Sequence, residues 1–182
     1  MPDESLVRHC SPTLAGLKTG SLFSCAFSGQ KELKVFLRNW NTALCQKGLR
    51  VIPMRWKDGR ALIYVYRPEK LERDLNAEQA SQILSQRGYR PGCTGQCVAE
   101  LMRRLRRQED FPHEVGLFLG YPPEDVLGFL ENREACKCTG CWKVYGDVAA
   151  AQKTFSKYKK CTCVYCRPYA QGRPVERLTV AS

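Results

Sequence analysis

Hydrophobic and polar positions along the chain fall into a few readable patterns. Residues 21–27 form a short apolar run ending at Ser28-Gly29, which predicts a strand. Over residues 30–46, Leu33, Val35, Phe36, Leu37, Trp40, Ala43 and Leu44 follow helical spacing, and Gly48 suits the end of that helix. Residues 49–56 and 60–67 are rich in Val, Ile, Tyr and Trp, with Lys57-Asp58-Gly59 between them. An Asp-Gly pair between two such runs predicts a β-hairpin, so this region reads β-α-β-β. Residues 68–87 predict one or two short helices, with Asn76 as N-cap of the second and Gln79 completing a capping box. Residues 88–95 contain three glycines and Pro91 and read as a connector, followed by a basic helix over about 96–108. Asp110 and Pro112 suggest another helix start, and Tyr121-Pro122-Pro123 ends that helix and opens the next, through Glu131. Residues 141–145 read as a short strand, and Asp147 caps a long helix running to about Tyr165.

The fold class that follows is α+β: a small, mainly antiparallel sheet with an early β-α-β-β unit, packed against several helices. At 182 residues the chain would bury about 70% of its unfolded surface, which supports one compact domain over 1–182. Two lobes meeting near 88–95 are the variant on that organisation, and the residues from about 171 read as a C-terminal tail. The N-terminus, Met-Pro-Asp-Glu-Ser, has no basic segment and no apolar run after it, so no secretory signal is expected. No stretch approaches the roughly 20 apolar residues of a spanning helix. The expectation is a cytoplasmic protein that does not engage a membrane and whose thiols stay reduced.

The formal net charge is +11, and its sign changes along the chain. Residues 109–135 hold seven acids and one base, whereas residues 148–182 hold seven bases and one acid. Arg103, Arg104, Arg106 and Arg107 cluster on the basic helix. With Lys153, Lys157, Lys159 and Lys160 they could form a phosphate-binding face, which keeps nucleic acid open as a partner. The alternative is that the acidic segment neutralises basic ones and the remaining charges face solvent.

Three segments carry a resemblance: His9-Cys-Ser-Pro-Thr-Leu-Ala-Gly-Leu-Lys18, Phe111-Pro-His-Glu-Val-Gly-Leu-Phe-Leu-Gly-Tyr-Pro-Pro-Glu-Asp-Val126 and Cys141-Trp-Lys-Val-Tyr-Gly-Asp147. Through them the chain resembles an uncharacterised bacterial family, domain of unknown function thirty-seven ninety-three, over nearly its whole length. The resemblance implies a single-domain cytosolic protein. It carries over no activity and no catalytic residue.

Three kinds of chemistry remain open from the residues themselves. Cys138/Cys141 and Cys163/Cys166 form two C-x2-C pairs separated by 21 residues, close to a zinc pattern, and an iron–sulfur centre would use the same thiolates. Against this, Cys161 would lie about 200° around a helix from Cys163, and buried free cysteine commonly acts as a small hydrophobe. No metal is therefore favoured. His9 beside Cys10, and His113 with Glu114 at an expected helix start, are the catalytic candidates. Thr13, Gly16 and Lys18 supply a hydroxyl, a flexible turn and a cation, the parts of an anion cradle. The leading reading is a binder of a small anionic molecule, with enzymatic activity left open. Its sharpest form brings His9, Thr13 and Lys18 together with residues 111–120 in one pocket. The alternatives are a cysteine-dependent zinc or iron–sulfur module and a nucleic-acid-binding protein with a basic face.

Overall fold

The computed structural model describes residues 2–107 and 111–181. In chain order the elements are α1 (Pro2–Leu14), β1 (Gly20–Ala26), α2 (Gln30–Leu44), a 3-10 turn (Cys45–Lys47), β2 (Arg50–Lys57), β3 (Arg60–Tyr66), α3 (Pro68–Asn76), α4 (Glu78–Gln86), α5 (Thr94–Arg107), α6 (Val115–Phe118), α7 (Pro123–Glu131), β4 (Cys138–Thr139), β5 (Lys143–Val144), α8 (Val148–Ala170) and α9 (Val175–Leu178). They form two compact units, Met1–Glu69 with Tyr158–Ser182, and Lys70–Lys157. The 88–95 connector lies inside the second. No helix among the described residues is long and apolar enough to cross a membrane.

In the first unit β3 is the central strand of an antiparallel sheet ordered β1-β3-β2. The β2–β3 hairpin turns at Asp58-Gly59, whose φ angles of 50° and 71° are both positive, as a two-residue type I′ turn requires. A register shift between Pro53 and Arg55 leaves Met54 as an extra, fully buried residue in β2. Phe23 and Cys25 of β1, Val51 of β2 and Ala61, Ile63 and Val65 of β3 share one core with Leu6, Cys10 and Leu14 of α1 and Leu33, Trp40 and Leu44 of α2. Each large apolar side chain so buried contributes about 1.5–3 kcal/mol. Asn41 ties α2 to β2 by donating to the Val51 carbonyl (2.8 Å) and accepting from the Val51 amide (3.0 Å). Trp40 Nε1 donates to Asp3 Oδ1 of α1 at 2.6 Å.

Two features of this unit lie outside the sequence expectation, which assigned no element before residue 21. Residues 2–14 are a helix, with Leu6, Val7, Cys10 and Leu14 buried along one side despite Pro12 near its end. The segment from about 171, expected as a tail, is anchored. Leu178 and Thr179 are buried, the Val180 amide donates to the Leu14 carbonyl (3.0 Å), and Lys47 Nζ donates to the Thr179 carbonyl (3.1 Å).

The second unit is mainly helical. Asn76 is the last residue of α3 rather than the cap of α4. The N-cap of α4 is Ala77, with no side-chain cap, and Glu78 supplies the favourable first-turn charge instead. Asp110 lies outside the described residues. Downstream of it the helix is only the four residues of α6, two positions beyond His113. The β4–β5 hairpin leads to α8, whose first turn is capped by Asp147 Oδ1 accepting from the Ala150 amide (3.0 Å). The helix then continues past Tyr165 to Ala170. Gly128 lets α7 meet the hairpin closely: a Cβ there would stand 2.4 Å from the Tyr145 ring.

Candidate functional site

A largely apolar cavity lies wholly within the second unit and measures about 190 Å³. Its walls come from residues far apart in sequence: Phe111 and His113 ahead of α6, Tyr121 after it, Asp125, Val126 and Phe129 on α7, and Trp142 and Lys143 at β5. Asp125 and Phe129 are one helical turn apart, which places both on one side of α7.

Asp125 holds the walls together. Its carboxylate is buried and accepts from Trp142 Nε1 (2.6 Å), the Tyr145 amide (2.7 Å) and the Gly146 amide (2.8 Å). One acid thus satisfies two backbone donors of the hairpin and orients the indole. Trp142 stacks on Tyr121 (4.8 Å between centroids) and meets Phe155 edge-on (4.6 Å). The Tyr121 hydroxyl donates to the Cys141 carbonyl at 3.3 Å, and burial pushes its phenol up to about 12, so it stays neutral. His113 packs edge-on against Phe129 at 5.0 Å. Lys143 Nζ sits 5.8 Å from the Phe129 centroid and donates to the Arg133 carbonyl at 3.2 Å. The result is an aromatic slot with an imidazole and an ammonium group at its edge.

His113 is the one sequence candidate that lines this cavity. Its neighbour Glu114 faces elsewhere, buried, accepting from the Tyr89 hydroxyl (2.9 Å) and Arg104 Nη1 (3.0 Å). Burial and the Glu114 charge beside it drive the Tyr89 phenol far up, so this hydroxyl is a permanent donor.

His9, Thr13, Gly16 and Lys18 belong to the first unit. His9 stacks on Phe23 at 5.8 Å. Cys10 beside it is fully buried, which pushes its thiol up to about 12 and leaves it neutral. Thr13 Oγ1 and Ser21 Oγ hydrogen-bond at 2.8 Å. Gly16, at φ +75°, closes α1 in a Schellman cap: its amide donates to the Thr13 carbonyl, and the Leu17 amide to that of Pro12. The amides an anion cradle would need are therefore used by the helix itself. This end of α1 presents carbonyl oxygens, and what it receives is a cation. Arg67 donates to the carbonyls of Thr13 (2.8 Å), Leu14 (2.9 Å) and Val180 (2.7 Å).

All eleven cysteines are free thiols. Cys138 and Cys141 belong to the second unit and Cys163 and Cys166 to the first. Among the described residues, no three His, Cys, Asp or Glu side chains are grouped to hold a metal ion. On the basic helix, Arg103 and Arg104 both pair with Glu100, and Arg104 also pairs with Glu114 from the acidic segment.

A family model described as Protein of unknown function (DUF3793) matches residues 6–179. The chain belongs to this family. The DUF3793 match runs from α1 to the residue after α9 and so includes both units. Neither the curated proteins nor the solved structures hold a match to the chain. The cavity was hard to see from the sequence because Phe129 lies outside the resembling segments, and Asp125 and Lys143 within them belong to no chemical motif. The available signal was that two of the three stretches resembling DUF3793, 111–126 and 141–147, are the two that wall it.

Proposed function

We propose that this protein binds a small, single-ring molecule carrying a carboxylate or similar anionic group in the aromatic cavity of its second unit. One observation carries this reading: Lys143 and His113 stand at the edge of a slot whose other walls are Tyr121, Phe129, Trp142 and Val126. A cavity of roughly 150 Å³ accommodates a benzene ring, so this one matches a single ring with a substituent. The aromatic faces supply contact area for the ring. The ammonium of Lys143, half-buried beside Phe129, would form a charge-assisted hydrogen bond stronger than one between neutral groups. Asp125 also borders the slot, but three N–H donors already hold its charge.

The test is NMR titration of the Trp142 indole N–H with benzoate and with benzyl alcohol. Benzoate should shift that resonance and bind more tightly than the alcohol. Lys143→Met should reduce benzoate affinity about tenfold and remove the preference. Benzoate leaving the indole signal unmoved, or binding Lys143→Met as it binds the natural chain, would overturn the proposal. The nucleic-acid reading is not favoured by comparison, since two of its arginines are engaged by acids within the second unit.

A further inference from the structure

A second concavity lies wholly within the first unit, between α1 and the end of α8, with a volume of about 830 Å³. Glu4 and Arg8 are one turn apart on α1 and both border it. Tyr169 and Cys166 border it from the last turns of α8, and Arg173 from just beyond. Arg173 is placed by a cap of the same kind as that of α1. Gly172, at φ +87°, donates to the Tyr169 carbonyl (2.9 Å), and the Arg173 amide donates to that of Pro168 (3.0 Å).

Both cations bordering this groove are guanidinium groups. Arg67, Arg103 and Arg104 have carbonyl or carboxylate partners. Arg8 and Arg173 are exposed, and among the described residues neither guanidinium makes a hydrogen bond or ion pair. Two guanidinium forks at one groove suit the oxygens of a phosphoryl group, which they can hold bidentately. Burial raises the Tyr169 pKa, and the charges of Asp3 and Glu4 raise it further, so its hydroxyl is a standing donor. Glu4 would repel a bare anion, but its carboxylate can accept from hydroxyl groups.

We infer that this groove binds a phosphorylated, hydroxyl-bearing small molecule of sugar-phosphate or nucleotide size, with Arg8 and Arg173 on the phosphoryl group and Glu4 on a hydroxyl. The groove's volume falls within the range of roughly 300–1,000 Å³ usual for small-molecule sites. Cys166 is a built-in reporter. It borders the groove, whereas Cys163, one turn earlier on the same helix, does not.

The experiment measures alkylation of Cys166 and Cys163 by iodoacetamide, read peptide by peptide, together with calorimetric titration. The probes are ribose 5-phosphate, adenosine monophosphate, adenosine and inorganic phosphate. At least one of the two phosphate esters should bind and slow alkylation at Cys166 but not at Cys163. Adenosine should do neither. Binding of the nucleotide alone assigns the nucleotide, and binding of both esters assigns the shared sugar phosphate. Arg8→Gln and Arg173→Gln should each weaken binding about tenfold, and Glu4→Gln should weaken the esters but not inorganic phosphate. Both arginines are exposed, so these variants should fold, which circular dichroism checks. Failure of both esters to bind, or undiminished binding in the double arginine variant, overturns the inference. It stands apart from the aromatic cavity, which benzoate titration tests separately.

Discussion

Arg67 in the first unit and Asp125 in the second are buried charges of opposite sign with the same task. Arg67 donates to four backbone carbonyls, two at the end of α1, one near the C-terminus and that of Lys47. Asp125 accepts from two backbone amides and one indole of the β4–β5 hairpin. In each case the charge is stabilised by fixed dipoles, and the sign follows from which backbone groups the fold leaves without partners. A helix C-terminus leaves carbonyls, which call for a cation. A tight hairpin end leaves amides, which call for an anion. The difference lies in what each hub leaves beside it. Arg67 closes its surroundings into structure, whereas Asp125 positions Trp142 as one wall of a cavity that stays open.

This comparison can be broken most directly at Arg67. Arg67→Ala strands four carbonyls and should cost about 3 kcal/mol in urea denaturation, since leaving a buried acceptor unsatisfied costs about 1–3 kcal/mol and water can reach some of these. Arg67→Lys keeps the charge but not the fork and should fall between. A loss below about 1 kcal/mol for the alanine variant would show that water replaces the guanidinium readily. Asp125→Asn should cost about 2 kcal/mol, since an amide NH₂ in place of one oxygen opposes the Trp142 N–H. It should also weaken benzoate binding, because the indole wall loses its anchor. Stability lost with binding intact would make Asp125 purely structural.

Smaller effects should appear in pH dependence, with opposite direction in the two units. The Cys10 thiol, raised by burial from 9.0 to about 12, contributes stability that is complete below pH 9 and lost as pH rises toward 12. Cys10→Ala should flatten that alkaline slope. Glu100 is held down from 4.5 to about 2, first by its hydrogen bond to Arg103 and then by Arg104. Its contribution is present above pH 4.5 and fades as pH falls toward 2. Because Glu100 is largely solvated, screening keeps this effect small, and added salt should diminish it. An acid limb unchanged in Glu100→Gln would count against the pairing.

Local chemistry made much of the fold legible. The Asp58-Gly59 turn, the apolar stripe of α2 and the Asp147 cap each act within a few residues, so the sequence alone shows them. Helix α1 escaped because Pro12 and the polar Ser11 and Thr13 interrupt its apolar spacing. Its stripe of Leu6, Cys10 and Leu14 was present, and the buried Ser11 and Thr13 find hydrogen-bond partners only in the folded chain. Asn76 misled because a good capping residue serves equally well as the last residue of the preceding helix when Glu78 supplies the first-turn charge. His113 was legible as a candidate because a histidine ahead of a helix start is conspicuous. Lys143 was not, since inside the 141–147 segment nothing sets a lysine apart as a ligand contact.

By itself, the amino-acid order determined the α+β class, the β-α-β-β unit and the segments with chemical interest. Those properties depend on periodicity, turn preference and composition, which are summed over neighbours in sequence. Tertiary structure alone decided that the Gly16 turn is a helix cap facing Arg67 and that Glu114 serves Tyr89 and Arg104. It also decided that residues 111–129 and 142–143 enclose one cavity. Each outcome depends on which buried donor meets which acceptor. That pairing is set by the requirement that every buried polar group find a partner across the whole fold.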